Sequence, residues 1–153
     1  MKGNCQMQQT MDEVLECLVL KNHYYEKFYE LTLKFLRVAN KNQWDETASF
    51  VEDRERILSI IRSFDLKMGK LNPKLMNSTV SVDLYQEQVR KLMQVRNNWV
   101  TKIVALDLEI ISKMDEIKSE TIRELKAVTD SEESLKDFSV SSSKRSVKPH
   151  KTV

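Results

Sequence analysis

Tyr24, Phe28, Leu31, Phe35 and Val38 recur at spacings of four, three, four and three, which draws one apolar stripe down a helix. The spacing predicts a first helix over residues 12–40. Asp12 stands where an N-cap belongs, Glu13 and Glu16 suit the first turn, and Asn40-Lys41-Asn42 suits a helix end followed by a polar turn. The polar residues before it, 1–11, read as a flexible leader. A second helix is predicted over residues 44–68, with Phe50, Ile57, Ile61, Phe64 and Met68 on one face and Val51 and Leu58 widening it. Gly69 follows as the expected left-handed cap, and residues 70–80, with Pro73, form the expected connection.

The third pattern is more regular. From Ser81 onward the seam runs Tyr85, Val89, Leu92, Arg96, Trp99, Ile103, Leu106, Ile110, and Arg96 alone is charged. It continues through Met114, Ile117, Ile122, Leu125 and Val128 to the cluster Thr129-Asp130-Ser131, a predicted helix of about 47 residues. Asp130 and Glu133 then form a capping-box arrangement that predicts a short helix at 129–138 exposing Leu135 and Phe138. Residues 139–153 are serine-rich and then basic (Lys144, Arg145, Lys148, Lys151), and read as a disordered tail.

Composition narrows the fold. The 153 residues hold only two glycines and two prolines, too little turn punctuation for a sheet protein. The expected fold is therefore all-α: an antiparallel three-helix bundle over residues 12–128, with a long third helix and the short C-terminal helix. At ~1.5 Å per residue the helices measure roughly 43, 36 and 70 Å, so the third outruns its neighbours beyond about residue 110. The overhang carries Ile110, Ile111, Met114, Ile117, Ile122 and Leu125, each worth about 1.5 to 3 kcal/mol when removed from water. Three covers are open to it: a second copy, a partner polypeptide, or the Leu135/Phe138 segment folding back.

Charge and chemistry change the picture little. A net charge of +2 does not describe a dedicated nucleic-acid binder, and the tail cations Lys144, Arg145 and Lys148 are a weak footprint. The apolar run at residues 14–20 is broken by Glu16, so neither signal peptide nor membrane span is expected. Cys5 and Cys17 read as free thiols of a reducing compartment, and the expected location is the cytoplasm. His23 and His150 have no ligand company, and the carboxylates sit in charge-mixed runs such as Glu52-Asp53-Arg54-Glu55-Arg56. No catalytic, cofactor or metal residues are expected, and no enzyme activity. Arg96 suits either snorkelling to water or an acid across the bundle such as Glu52 or Asp53, and Trp99 suits either the core or a binding anchor.

Two passages carry a resemblance. One is Leu36-Arg37-Val38-Ala39-Asn40-Lys41-Asn42-Gln43-Trp44-Asp45-Glu46, leading into Val51-Glu52-Asp53-Arg54-Glu55-Arg56-Ile57-Leu58; the other is Ile103-Val104-Ala105-Leu106-Asp107-Leu108-Glu109-Ile110-Ile111. In order and size the chain, over residues 14–128, resembles the flagellar export chaperones of the FliT type, with the FlgN type as a cousin. The resemblance implies a client groove involving the second and third helices, an occluding C-terminal helix, and contact with export apparatus components. The implied client is a filament-cap or hook-associated subunit bound before type III secretion. The client-binding candidates are then Trp99, Ile103, Leu106, Ile110, Met114 and Ile117, with Leu135 and Phe138 in the occluding segment. The basic terminus and the long polar leader depart from the pattern. The alternative is a structural coiled-coil or scaffold protein that homodimerises through the third helix.

Overall fold

A computed structural model describes residues 2–76 and 83–145 of the chain. Three helices follow one another: α1 (Lys2–Ala39), α2 (Thr47–Met76) and α3 (Asp83–Arg145). The chain divides into two compact units, residues 1–111 and 112–153, with the division inside α3.

The first unit is an antiparallel three-helix bundle. Val14 packs with Leu71, Tyr24 meets Phe64 and Phe35 stacks on Phe50, so numbers on α2 fall as those on α1 rise. Between α1 and α3 the numbers rise together: Asn22 Nδ2 donates to the Leu92 carbonyl at 2.9 Å, and the Tyr29 and Trp99 rings lie 5.4 Å apart. The core has two centres. Phe35, Leu36, Phe50 and Ile110 form one at the α1–α2 turn, with Leu31, Trp44 and Leu106 against it. Val14, Leu18 and Leu71 form the other, joined by Met68, Leu75, Tyr85, Val89, Leu92 and Met93.

The turn explains how the hairpin closes. Asn42 adopts φ 56°, the Gln43 N–H donates to the Val38 carbonyl at 3.2 Å, and the Asn42 N–H donates to that of Ala39 at 3.0 Å. This is a Schellman cap in which asparagine takes the left-handed position. Trp44-Asp45-Glu46 leads into α2, which starts at Thr47, three residues later than the pattern predicted. Thr47 ties the entry by donating both its N–H, at 3.2 Å, and its hydroxyl, at 2.6 Å, to the Trp44 carbonyl.

Four expectations are corrected. Residues 2–11 are not a separate leader but the first turns of α1. Met11 there is buried, and Thr10 and Gln8 are satisfied within the helix by the Gln6 carbonyl and Asp12. Gly69 does not cap α2: no described glycine has positive φ, and the helix runs through Gly69 and Pro73 to Met76. Burial of Leu71 and Leu75 outweighs the cost of ~1 kcal/mol for a helical glycine. The backbone bond that Pro73 forfeits falls on the Gly69 carbonyl, whose residue adapts most readily.

Neither does α3 break at Thr129-Asp130-Ser131. It is continuous for 63 residues, so the short helix at 129–138 and residues 139–145 of the expected tail belong to it. Thr129 Oγ1 donates back to the Leu125 carbonyl at 2.9 Å, satisfying the side chain inside the helix instead of starting a new one. The remaining tail, including Lys148 and His150, lies outside the described residues. Finally, Arg96 hydrogen-bonds Asn97, while Glu52 and Asp53 pair with Arg56 on their own helix. The α2–α3 ion pair is instead Arg54 with Asp107, bidentate at 2.9 Å.

Candidate functional site

The resemblance, laid on the α3 seam, implies one client surface of six residues, and the structure divides them. Ile103 and Ile110 are buried at 7% and 5% exposure, and Leu106 packs half-buried against the Phe35–Phe50 stack. Trp99 is half-buried beside Tyr29, with the Lys102 ammonium 5.0 Å from its ring centroid. These four are bundle residues, because α1 and α2 still flank α3 at the level of the Phe35–Phe50 stack.

The other two candidates fall in the second unit, where Met114 is exposed and Ile117 half-buried. Along residues 112–139 the exposed large apolar side chains are Met114, Ile122, Leu125, Val128, Leu135 and Phe138, from 38% at Met114 to 72% at Phe138. At ~100° per residue, Met114, Ile117, Leu125, Val128 and Leu135 fall within about 80° of one another, with Ile122 and Phe138 at the two margins. Leu135 and Phe138 thus extend one row on one helix instead of forming a separate element. Ile122, Leu125 and Val128 lie between Ile117 and Leu135 along the helix; they belong to the expected apolar period but not to the six client-binding candidates. Their signal was present as a continued apolar period without any predicted neighbour.

A second exposed row escaped the heptad reading altogether. Val100, Val104, Leu108 and Ile111 recur at spacings of four, four and three, and range from 38% to 62% exposed.

Titratable chemistry is sparse among the described residues. No group of three or more His, Cys, Asp or Glu is placed to hold a metal ion. His23 Nδ1 lies 4.0 Å from Glu26 on an exposed face. Cys5 is exposed and Cys17 buried, both free, and burial pushes the Cys17 thiol above its ordinary range. Burial likewise raises the Tyr85 phenol, while the Arg90 hydrogen bond lowers the Glu87 carboxyl on the surface. A shallow α1–α2 groove of about 440 Å³ is lined by Leu31 and Ile57 among Lys27, Glu30, Lys34, Asp53 and Arg56. Its mixed charges, with Asp53 already paired to Arg56, converge on no reacting position. No described helix is long and apolar enough to cross a membrane.

No family model matches this chain, and neither the curated proteins nor the solved structures searched contain a match to it.

Proposed function

We propose that the chain is a non-enzymatic chaperone of the flagellar export type, working in the cytoplasm by holding an amphipathic helix of a client subunit. The observation that carries this reading is the exposed apolar row from Met114 to Leu135 on α3. Soluble helices seldom leave so many large apolar side chains in water without a partner to cover them. An apolar client helix laid along the row removes both surfaces from water, at about 1.5 to 3 kcal/mol for each side chain fully covered, less the cost of association. The client's own assembly face is then masked until export.

Thr121 and Glu132 interrupt the row and Lys118 borders it, which limits its affinity. That suits capture followed by release better than a constitutive coiled-coil scaffold, whose seam would stay apolar. The resemblance centred on Gln43-Trp44-Asp45-Glu46 supports the flagellar assignment, and with it a filament-cap or hook-associated client and delivery to the export apparatus. Leu135, given by that resemblance with Phe138 as an occluding element, acts in this reading as the far end of the capture row.

The test is calorimetric titration of the purified chain with filament-cap and hook-associated subunits. Leu125→Asp with Val128→Asp places two charges on the row at exposed positions. The double substitution weakens capture by at least about tenfold, an effect of ~1.4 kcal/mol or more, with helicity unchanged. Full-strength binding by that variant, or no binding of either subunit by the parent chain, defeats the reading.

A further inference from the structure

Val100, Val104, Leu108 and Ile111 lie within about 80° of one another on α3, roughly 110° round the helix from the buried Ile103 and Ile110. Thr101 and Ala105 extend the same surface, and both are exposed. Between residues 94 and 111 every charged side chain, namely Arg96, Lys102, Asp107 and Glu109, falls outside it. In a chain that is 31% charged, a solvated helix face ordinarily carries lysine and glutamate. A charge-free centre with charges confined to the edges is the composition of an interface core and its rim.

We propose that this face pairs with the same face of a second copy, α3 running antiparallel to its counterpart about a two-fold axis between Ala105 and Leu106. Charge selects that occupant and that direction. Lys102 and Glu109 stand on one edge of the face, equally far from the axis, so each Lys102 comes level with Glu109 of the other copy. Glu109 is exposed and has no ion-pair partner among the described residues. Among the described residues the Lys102 ammonium makes only ring contacts, at 5.0 Å to Trp99 and 6.0 Å to Tyr29. A parallel pair would set Lys102 against Asp107 instead, and that carboxylate is already held through both oxygens by Arg54.

The area sets the strength. The four apolar residues expose on the order of 300 Å² per copy, and with their flanks the pair buries roughly 1,000 Å² in total, near the lower bound for a stable interface. The dimer is therefore reversible, dissociating in the micromolar range. It uses a different surface from the Met114–Leu135 row and does not rest on the chaperone reading.

Sedimentation velocity of the full chain from about 1 to 200 μM tests it, a range that brackets such a dissociation constant. The parent chain passes from monomer to dimer across that range. Val104→Glu with Leu108→Glu, both exposed sites, stays monomeric throughout with unchanged helicity. Lys102→Glu and Glu109→Lys each weaken the dimer by roughly fivefold or more, and the two together restore it, because the pair is merely reversed. A parent chain that is monomeric at every concentration overturns the proposal. So does a dimer that survives the glutamates at 104 and 108, one lost instead through Leu125→Asp with Val128→Asp, or a double swap as weak as its single components. A monomer whose 104/108 variant fails to hold a client subunit gives the face to the client and overturns the second copy as occupant.

Discussion

Replacing Ile110 and Leu125 by alanine, one at a time, separates what holds the bundle from what is offered to a partner. Both occupy the apolar period of α3. Ile110, however, is 5% exposed against Phe35, Leu36 and Phe50, whereas Leu125 is 61% exposed. Ile110→Ala removes buried methyl groups and leaves a void beside the aromatic stack, a change that costs about 2 to 5 kcal/mol. For a unit of this size, ~4 °C of melting temperature per kcal/mol turns that into a drop of roughly 8 to 20 °C. Leu125→Ala exchanges a mostly hydrated side chain for the best helix former and stays within about 0.5 kcal/mol of the parent. Thermal unfolding followed by circular dichroism at 222 nm gives both values, and client titration at 20 °C gives the complementary pair. The folded fraction of Ile110→Ala binds normally, and Leu125→Ala binds weakly. Equal melting temperatures for the two variants, or a larger loss at Leu125, would refute the division of α3 into a buried and an offered part.

Other consequences are as direct. Arg54 lies 4.4 Å from the Phe28 ring centroid and 5.1 Å from that of Phe50 while pairing with Asp107, so it touches all three helices. Arg54→Ala lowers stability by about 1 to 3 kcal/mol in urea unfolding, and Arg54→Lys does not restore it, since lysine has no planar fork. Gly69→Ala raises stability by about 0.5 to 1 kcal/mol, because a Cβ there meets nothing within 4 Å and the glycine is helical; a loss would place Gly69 at a helix end. Trp44→Phe costs less than about 1.5 kcal/mol, because the indole N–H is buried without a protein acceptor and no hydrogen bond is lost. Cys5 reacts with an aromatic disulfide reagent at neutral pH far faster than Cys17, whose raised pKa keeps it a thiol. Because the folded value is the higher one, that contribution to stability is present below the ordinary thiol pKa of 9.0 and is lost as pH rises through the folded value.

Periodicity made the three bundle helices, their order and the hairpin turn legible, since a 3.6-residue stripe and the Asn40-Lys41-Asn42 signal act locally. Helix ends were less legible, because Gly69, Pro73 and Thr129 are breakers only until something outweighs them. Leu71, buried, and Leu75, half-buried in the same cluster, outweigh the first two, and a back-bonded hydroxyl removes the third. For the candidate site, helix lengths put the end of coverage near residue 110, and the chain divides at 111, but the client candidates drawn from the resemblance straddled that point. Ile103 and Ile110 are therefore core residues, while Ile122 and Leu125, expected on the overhang, are exposed, as is Val128. The Val100–Ile111 face was hidden for a different reason: it lies off the heptad seam, and only exposure distinguishes it from ordinary helix surface.

Amide hydrogen exchange of the full chain, alone and saturated with a filament-cap or hook-associated subunit, probes the central claim most directly. Capture along α3 predicts that exchange slows over residues 112–138 by at least about tenfold on binding while residues 12–40 keep their rates. Unchanged exchange over 112–138 in a saturated complex, with new protection confined to α1 or α2, would contradict it.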